Sequence, residues 1–343
     1  MDLKQAIAQV IDGRHLDAND MTTVMRTIMT GGATPAQIAG FLVALRLKGE
    51  TVPEIAAAAA VMRELATGVD IGDLPHAEDI VGTGGDGAGT FNVSTASTFV
   101  AAAAGCHVAK HGNRSVSSKS GAADLLEAAG VKLGLTPEQV ARCVREVGVG
   151  FMFAPAHHGA MQHAIGPRRE LGVRTLFNVL GPLTNPAGVR RLLLGVFAES
   201  LLTPLAEVLQ SLGAEHVLVV HAQDGLDEIS IGAATEVAEL KDGAIRRFSV
   251  APADFGLASA PLDAIRVDGP EQSLALVRGA LAGEPGPALD IVLLTAGAAI
   301  DVAGRAGDLA MGIEAAREAV ACGAAAERLA RLAALTRSMG DAG

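Results

Sequence analysis

The 343-residue sequence contains no tryptophan and no tyrosine, so its nine phenylalanines are its only aromatic side chains. That scarcity removes the platform on which single-stranded nucleic acids usually stack their bases. The core must instead be built from Ala, Leu, Val and Ile, with helices packing closely through Ala and Gly faces. Cations are also outnumbered: 27 Lys and Arg face 38 Asp and Glu, a formal net charge of −11. An extended nucleic-acid surface depends on neutralising phosphates with Lys and Arg, so this balance argues against one. It leaves room for a small phosphate ligand in a local basic pocket. The three cysteines, Cys106, Cys143 and Cys322, are odd in number and far apart, which offers neither a disulfide framework nor a zinc spacing. Long apolar runs are missing too, since IAAAAAVM falls well short of the ~20 residues a bilayer span needs. The first residues, MDLKQAIAQVIDG, are amphipathic with an acid at position 2, unlike a secretion signal. A soluble cytoplasmic protein without membrane contact is the expectation.

Half of the residues are hydrophobic, the mean hydropathy is +0.36 and only 19% are charged, so core material is plentiful. The length is that of about two domains. Residues 1–72 read as helices, with helix starts at Thr34-Pro35-Ala36-Gln37 and Thr51-Val52-Pro53-Glu54, each a capping box with an early proline. The Gly- and Asp-rich stretch 68–75 breaks the pattern, and an α/β domain is expected over 73–343. Strands are expected at 78–81, 107–110, 150–153, 192–197 and 216–221, separated by helices, which implies a mainly parallel sheet. Residues 235–240 and 244–249, joined by Lys241-Asp242-Gly243, read as a hairpin, and the chain from Pro287 reads as helical.

Four segments carry candidate chemistry. DIVGTGGDGAGTFNVST, residues 79–95, is a strand, a glycine-dense turn and a helix start. Glycines bring backbone N–H groups close to a ligand, and the amino end of a helix favours anions. Asn92, Ser94 and Thr95 add side-chain donors, a serine hydroxyl being also a Mg²⁺ ligand. Asp86 would repel phosphate and suits a ribose hydroxyl or a loop-orienting role. Gly82, Gly84 and Gly87 match the dinucleotide fingerprint, but Lys110 and His111 stand where that motif expects an acid. KHGNRSVSSKSG, residues 110–121, sets Lys110, Arg114 and Lys119 among Ser115, Ser117, Ser118 and Ser120 at a strand's carboxyl end, a donor set for polyphosphate. DGLDEIS, residues 224–230, offers the adjacent carboxylates Asp227 and Glu228, which beside a polyphosphate are the hard oxygen ligands of Mg²⁺. In HHGAMQHAIGPRRELGVRTLFNVLGPLTNPA, residues 157–187, the histidines lack a diagnostic metal spacing. Arg168, Arg169 and Arg174 are candidates for a carboxylate or a partner chain, and Gly181-Pro182 and Asn185-Pro186 mark a turn or hinge.

Taken in order along essentially the whole chain, GTGGDG…TFNVST, KHGNRSVSSKSG, LFNVLGPLTNPA and the late Asp-Glu pair resemble the anthranilate phosphoribosyltransferase family of tryptophan biosynthesis. The resemblance implies transfer of a phosphoribosyl group from 5-phosphoribosyl 1-diphosphate to anthranilate, with release of pyrophosphate. It implies a small helical domain, residues 1–72 plus an insertion at about 160–190, hinged to the large α/β domain, and a homodimer paired through the helical part. Gly82, Gly85, Asp86, Thr90, Asn92, Val93, Ser94 and Thr95 match the family's contacts to the phosphoribosyl donor. So do Lys110, His111, Gly112, Asn113, Arg114, Ser115, Val116, Ser117, Ser118 and Ala122. Ser94, Asp227 and Glu228 match its magnesium ligands, while Gly82, Asn113 and Arg168 match anthranilate contacts and His158 lines the path. The catalytic set implied is Lys110, Arg114, Lys119, Asp227 and Glu228, with Mg²⁺ as cofactor. Two further readings share the scaffold: a pyrimidine-nucleoside phosphorylase, and a non-catalytic nucleic-acid-binding relative.

Overall fold

Capping chemistry starts the chain's first helices. The computed structural model describes residues 1–115 and 119–339. Helices α1 (Leu3–Ile11), α2 (Ala18–Met29), α3 (Pro35–Lys48) and α4 (Val52–Glu64) follow in succession. Thr34 accepts from the Gln37 N–H while the Gln37 side chain accepts from the Thr34 N–H, completing a capping box. At α4 the Thr51 N–H and hydroxyl both donate to Glu54, a buried carboxylate that also meets Lys48 at 2.8 Å and the Leu16 N–H.

Alternation then takes over, with β1 (Ala77–Gly82), α5 (Val93–Ala103), β2 (His107–Gly112), α6 (Ala122–Ala128), α7 (Pro137–Val147) and β3 (Val149–Phe153). After α8 (Ala154–His157), which packs beside β3, two helices return to the helical bundle, α9 (Gln162–Leu171) against α2 and α3 and α10 (Phe177–Leu180) against α4. The sheet resumes with β4 (Arg191–Gly195), α11 (Leu202–Ser211), β5 (His216–Ala222), β6 (Thr235–Lys241) and β7 (Ala244–Val250). Asp242 and Gly243 turn the last hairpin with positive φ at both positions (51° and 76°), the geometry that matches strand twist. Helices α12 (Pro270–Leu281), α13 (Pro287–Val302), α14 (Leu309–Ala321) and α15 (Ala324–Ser338) close the chain.

The seven strands lie in the order β3-β2-β1-β4-β5-β6-β7. The first five are parallel, and β6 and β7 are antiparallel. Period-two alternation divides the sheet between two cores: Leu193, Leu218 and Val220 face α5 and the C-terminal helices, while Leu192, Leu194, Val217 and Val219 face the N-terminal bundle and α11. Small residues set the tightest helix contact, where a Cβ on Gly312 would stand 2.1 Å from the Gly297 carbonyl oxygen. This is the close Gly and Ala packing that the lack of aromatics requires. Strand order reverses direction between β1 and β4, which leaves a crevice at their carboxyl ends, the customary ligand position in open α/β sheets.

Candidate active site

The crevice is shaped by two glycines. Gly82 ends β1 and Gly195 ends β4, and the Thr83 N–H donates across to the Gly195 carbonyl at 2.9 Å. A Cβ on Gly82 would lie 2.6 Å from Asp227 Oδ2, and one on Gly195 only 1.6 Å from the Asp227 carbonyl oxygen. Absence of both side chains therefore lets the loop after β5 fold into the reversal point. Once there, Asp227 accepts from the Gly84 N–H at 2.7 Å and Glu228 from the Ser94 N–H at 3.2 Å. One carboxylate thus holds the start of the glycine loop and the other the start of α5.

Beneath them lies Lys110, buried, with Nζ 2.5 Å from the Ile80 carbonyl and 3.3 Å from Ser94 Oγ. Burial lowers its pKa, an effect opposed by Asp79 and Glu228. Burial pushes Asp227 up to about 7, reinforced by the charge of Asp86 and opposed by the Gly84 N–H. Glu228 is pushed up to about 8, by burial first and then by Asp227, with Lys110 opposing. Two crowded carboxyls whose ionised forms are penalised, with the charge of Asp86 beside them, constitute a site that an added cation would relieve, and their oxygen donors suit Mg²⁺.

Around the glycine loop, the N–H groups of Gly85, Asp86 and Gly87 meet no acceptor among the described residues. Asp86 accepts from the Ala88 N–H at 3.3 Å, Thr90 bridges to Arg266, and Val93 is a buried first residue of α5. Asn92 is fixed by Ser120 and Ser273, each hydroxyl 2.7 Å from its Oδ1. Thr95 is buried, and its hydroxyl has no partner among the described residues.

The second loop extends the same wall. Asp124 accepts from the Ser115 and Gly121 N–H groups at 2.9 and 3.0 Å, drawing the two sides of the loop together at the start of α6, where Ala122 lies. Gly112 ends β2, and the exposed Asn113 accepts from the Arg114 N–H through Oδ1 and from the Ala123 N–H through its carbonyl. Arg114 is half-exposed and turned to Asp124 and Glu127, whose two oxygens it engages as a fork. Lys119 is exposed, and Val116, Ser117 and Ser118, assigned from sequence to the same site, lie outside the described residues.

His111 is buried against His158, ring centroids 5.0 Å apart, and burial drives it down to about 3 and His158 to about 4. Both rings are held neutral, and among the described residues no cluster of three metal-ligating groups includes them or His157. Asp79, Asn185 and the His111 N–H make a buried network, Asn185 Nδ2 lying 2.7 Å from Asp79 and 2.8 Å from the Ala109 carbonyl. The Asn185-Pro186 turn is therefore anchored to β1 and β2. Arg168, on α9, is half-buried, with its guanidinium 4.9 Å from the centre of the Phe177 ring and no carboxylate beside it among the described residues.

Sequence reasoning missed Ser273 and the contact of Arg174 with Gly85. Both join residues far apart in the chain, and neither residue type announces such a contact. A second cluster, His216, Glu239 and Asp301, lies towards the amino-terminal ends of the parallel strands, its ligand atoms within 4.8 Å of one another. Glu239 already meets Arg246 and His216, and Asp301 meets Lys241, so the cluster is internally compensated. No helix among the described residues is long and apolar enough to cross a membrane.

Comparison with known proteins adds independent findings. Residues 4–66 match the helical bundle domain of a glycosyl transferase family, and residues 74–326 match the α/β domain of the same family. An anthranilate phosphoribosyltransferase of Thioalkalivibrio sulfidiphilus is 63% identical over 338 residues, 98% of this chain and all of that one. The Halorhodospira halophila protein of that name is 59% identical over 99% of each chain. Among solved structures, the Thermus thermophilus anthranilate phosphoribosyltransferase superposes with a TM-score of 0.92 at 47% identity, over 97% of this chain and 99% of that one. The Saccharomyces cerevisiae enzyme, in complex with PRPP and Mg, superposes at 0.89 with 27% identity over 98% of each chain.

Proposed function

The chain belongs to the anthranilate phosphoribosyltransferase family of glycosyl transferases, and from that membership and the crevice geometry we propose how its residues perform the reaction. It transfers the phosphoribosyl group of 5-phosphoribosyl 1-diphosphate to the amine of anthranilate and releases pyrophosphate, a step of tryptophan biosynthesis. The pyrimidine-nucleoside phosphorylase reading finds no support in these relatives.

Breaking the C1–O bond builds cationic character on the ribose and negative charge on the departing pyrophosphate, as in other glycosyl transfers. The N–H groups of Gly85, Asp86 and Gly87, unpartnered among the described residues, and the amino end of α5 supply fixed donors for that charge. Asp227, Glu228 and Ser94 would hold Mg²⁺, which when bound neutralises charge on the diphosphate. Lys110 balances the two carboxylates from below, and Arg114 exchanges Glu127 for phosphate oxygens when the donor arrives. Lys119 and Ser115 to Ser118 complete the donor side of the site, with Gly112, Asn113 and Ala122 shaping its floor.

Arg168 is the acceptor-holding group: a half-buried cation over Phe177 with no carboxylate partner among the described residues is matched by the carboxylate of anthranilate. Gly82, Asn113 and His158 line the approach. The aryl amine is uncharged at neutral pH, so its lone pair attacks without a protein base. The helical part, taken as residues 1–72 with the insertion at about 160–190, is hinged to the α/β part at 73–343, pairs two copies of the chain, and works in the cytoplasm; light scattering tests the pairing.

The observation that carries this reading is that Asp227 and Glu228 grip the glycine loop and the α5 start at the same reversal point. Anthranilate fluorescence should fall when 5-phosphoribosyl 1-diphosphate and Mg²⁺ are added together, and stay constant if either is left out. Persistent fluorescence with all components present would refute the assignment.

A further inference from the structure

We propose that Arg174 is a positioning residue that aims the glycine loop at the donor. The inference rests on the donor reading above. Arg174 follows α9 by three residues, and its Nη2 donates to the Gly85 carbonyl. Its guanidinium lies 4.2 Å from the centre of the Phe197 ring, just past β4. Its own carbonyl accepts from Arg46 Nη1 of α3 at 2.8 Å. Phe197 is fixed in turn, its N–H donating to Thr83 Oγ1 at 3.1 Å. One side chain thus ties the insertion to the segment just past β4 and to the loop between β1 and α5, while its main chain is tied to the helical bundle.

The direction of this contact matters. In a trans peptide the C=O and the following N–H point opposite ways, so a cation pinning the Gly85 carbonyl turns the Asp86 N–H away from Arg174. That N–H has no acceptor among the described residues and is left for a ligand. Gly85 holds φ +79°, a left-handed conformation that costs glycine little, and a Cβ there would come 3.4 Å from Arg174 Nη2. Left to itself such a loop would sample many conformations, because glycines restrain it weakly. Arg174 limits that sampling by polarising one peptide and anchoring it to a rigid strand end.

The test is steady-state kinetics and calorimetric titration of 5-phosphoribosyl 1-diphosphate with Mg²⁺, using wild type, Arg174→Ala, Arg174→Lys, Phe197→Leu and the double variant Arg174→Ala/Phe197→Leu. Arg174→Ala should raise the donor KM and Kd by about 5- to 30-fold, with kcat and the anthranilate KM each changed by less than about threefold. Arg174 is exposed, so the urea midpoint should stay at the wild-type value. Arg174→Lys, which keeps the charge without the planar fork, should recover only part of the loss. The double variant should behave like Arg174→Ala alone, since ring and cation act as one unit. A donor KM unchanged in Arg174→Ala, or effects of the two single substitutions that simply add, would overturn the proposal. So would equal rises in both KM values with a lowered urea midpoint. Failure of the wild-type protein to bind the donor with Mg²⁺ would instead sink the functional reading on which it rests.

Discussion

Replacing Gly195 with alanine should disable the enzyme through a main-chain collision. An alanine Cβ there would stand 1.6 Å from the Asp227 carbonyl oxygen and 2.5 Å from its carbonyl carbon. Real Cβ atoms keep at least 3.0 Å from such neighbours, so the two segments must separate by about 1.4 Å. Gly195 has no positive φ, so strand β4 accepts alanine without local strain and the displacement falls on Asp227. Asp227 Oδ2 now sits 2.7 Å from the Gly84 N–H, and a shift of that size breaks the bond and moves the carboxylate pair. Misplacing reacting groups by about 1 Å costs roughly 10²-fold in rate, so kcat/KM for the donor should fall about 100-fold or more. Overpacking should also cost about 1–3 kcal/mol of stability, leaving a folded protein. Anthranilate fluorescence measures the rate, and circular dichroism with urea melting measures the fold. Gly134→Ala is the matched control, because a Cβ there meets nothing within 4 Å, and it should be silent. A folded Gly195→Ala variant within threefold of wild-type kcat/KM would refute the idea that this crevice sets the position of Asp227.

Other perturbations test separate parts of the site. Arg168→Ala removes a charge-assisted contact of about 1.5–3 kcal/mol, so the anthranilate KM should rise roughly 10- to 150-fold while the donor KM holds; an unchanged anthranilate KM would remove that role. Asp227→Asn/Glu228→Gln should lower kcat by roughly 10²-fold and raise the Mg²⁺ concentration for half-maximal rate, and a normal Mg²⁺ response would contradict the ligand assignment. Burial holds His158 at about 4, below its unfolded value of about 6.5, so its contribution is complete above pH ~6.5 and is lost as pH falls towards 4. Relative to His158→Gln, the wild type should therefore lose about 1.4 kcal/mol per pH unit across that window in urea melts. Parallel stability curves for the two proteins would show that His158 is not held neutral by burial.

Much of this molecule is legible because local chemistry and tertiary structure agree. Thr34 and Gln37 announce α3 by a reciprocal cap, and Asp242-Gly243 announces the β6–β7 turn through the two positive φ values it needs. Strands β4 and β5 read as buried because both faces are covered, Leu192 by one core and Leu193 by the other. The glycine loop reads as chemistry because its donors crowd a helix start, whereas the Asp227-Glu228 pair is unspecific by spacing alone and gains a reading only beside the two loops. Their convergence was not readable, since it depends on Gly82 and Gly195 lacking side chains at a strand reversal. Helix α12 went unread although Pro270 marks its start, and it brings Ser273 to Asn92 across 181 positions. Nor does the sequence show that Lys110, read there as a polyphosphate ligand, is buried under Ser94, or that Arg114 is held by Glu127. Those arrangements arise from long-range packing, to which residue type and spacing are blind.

Anomalous diffraction from crystals soaked with Mn²⁺ in place of Mg²⁺, together with 5-phosphoribosyl 1-diphosphate, locates the metal directly. The metal peak should fall against Asp227, Glu228 and Ser94, with the diphosphate spanning to the amides of Gly85, Asp86 and Gly87. A peak at His216, Glu239 and Asp301 instead, or a diphosphate bound away from the β1–β4 reversal, would contradict the account.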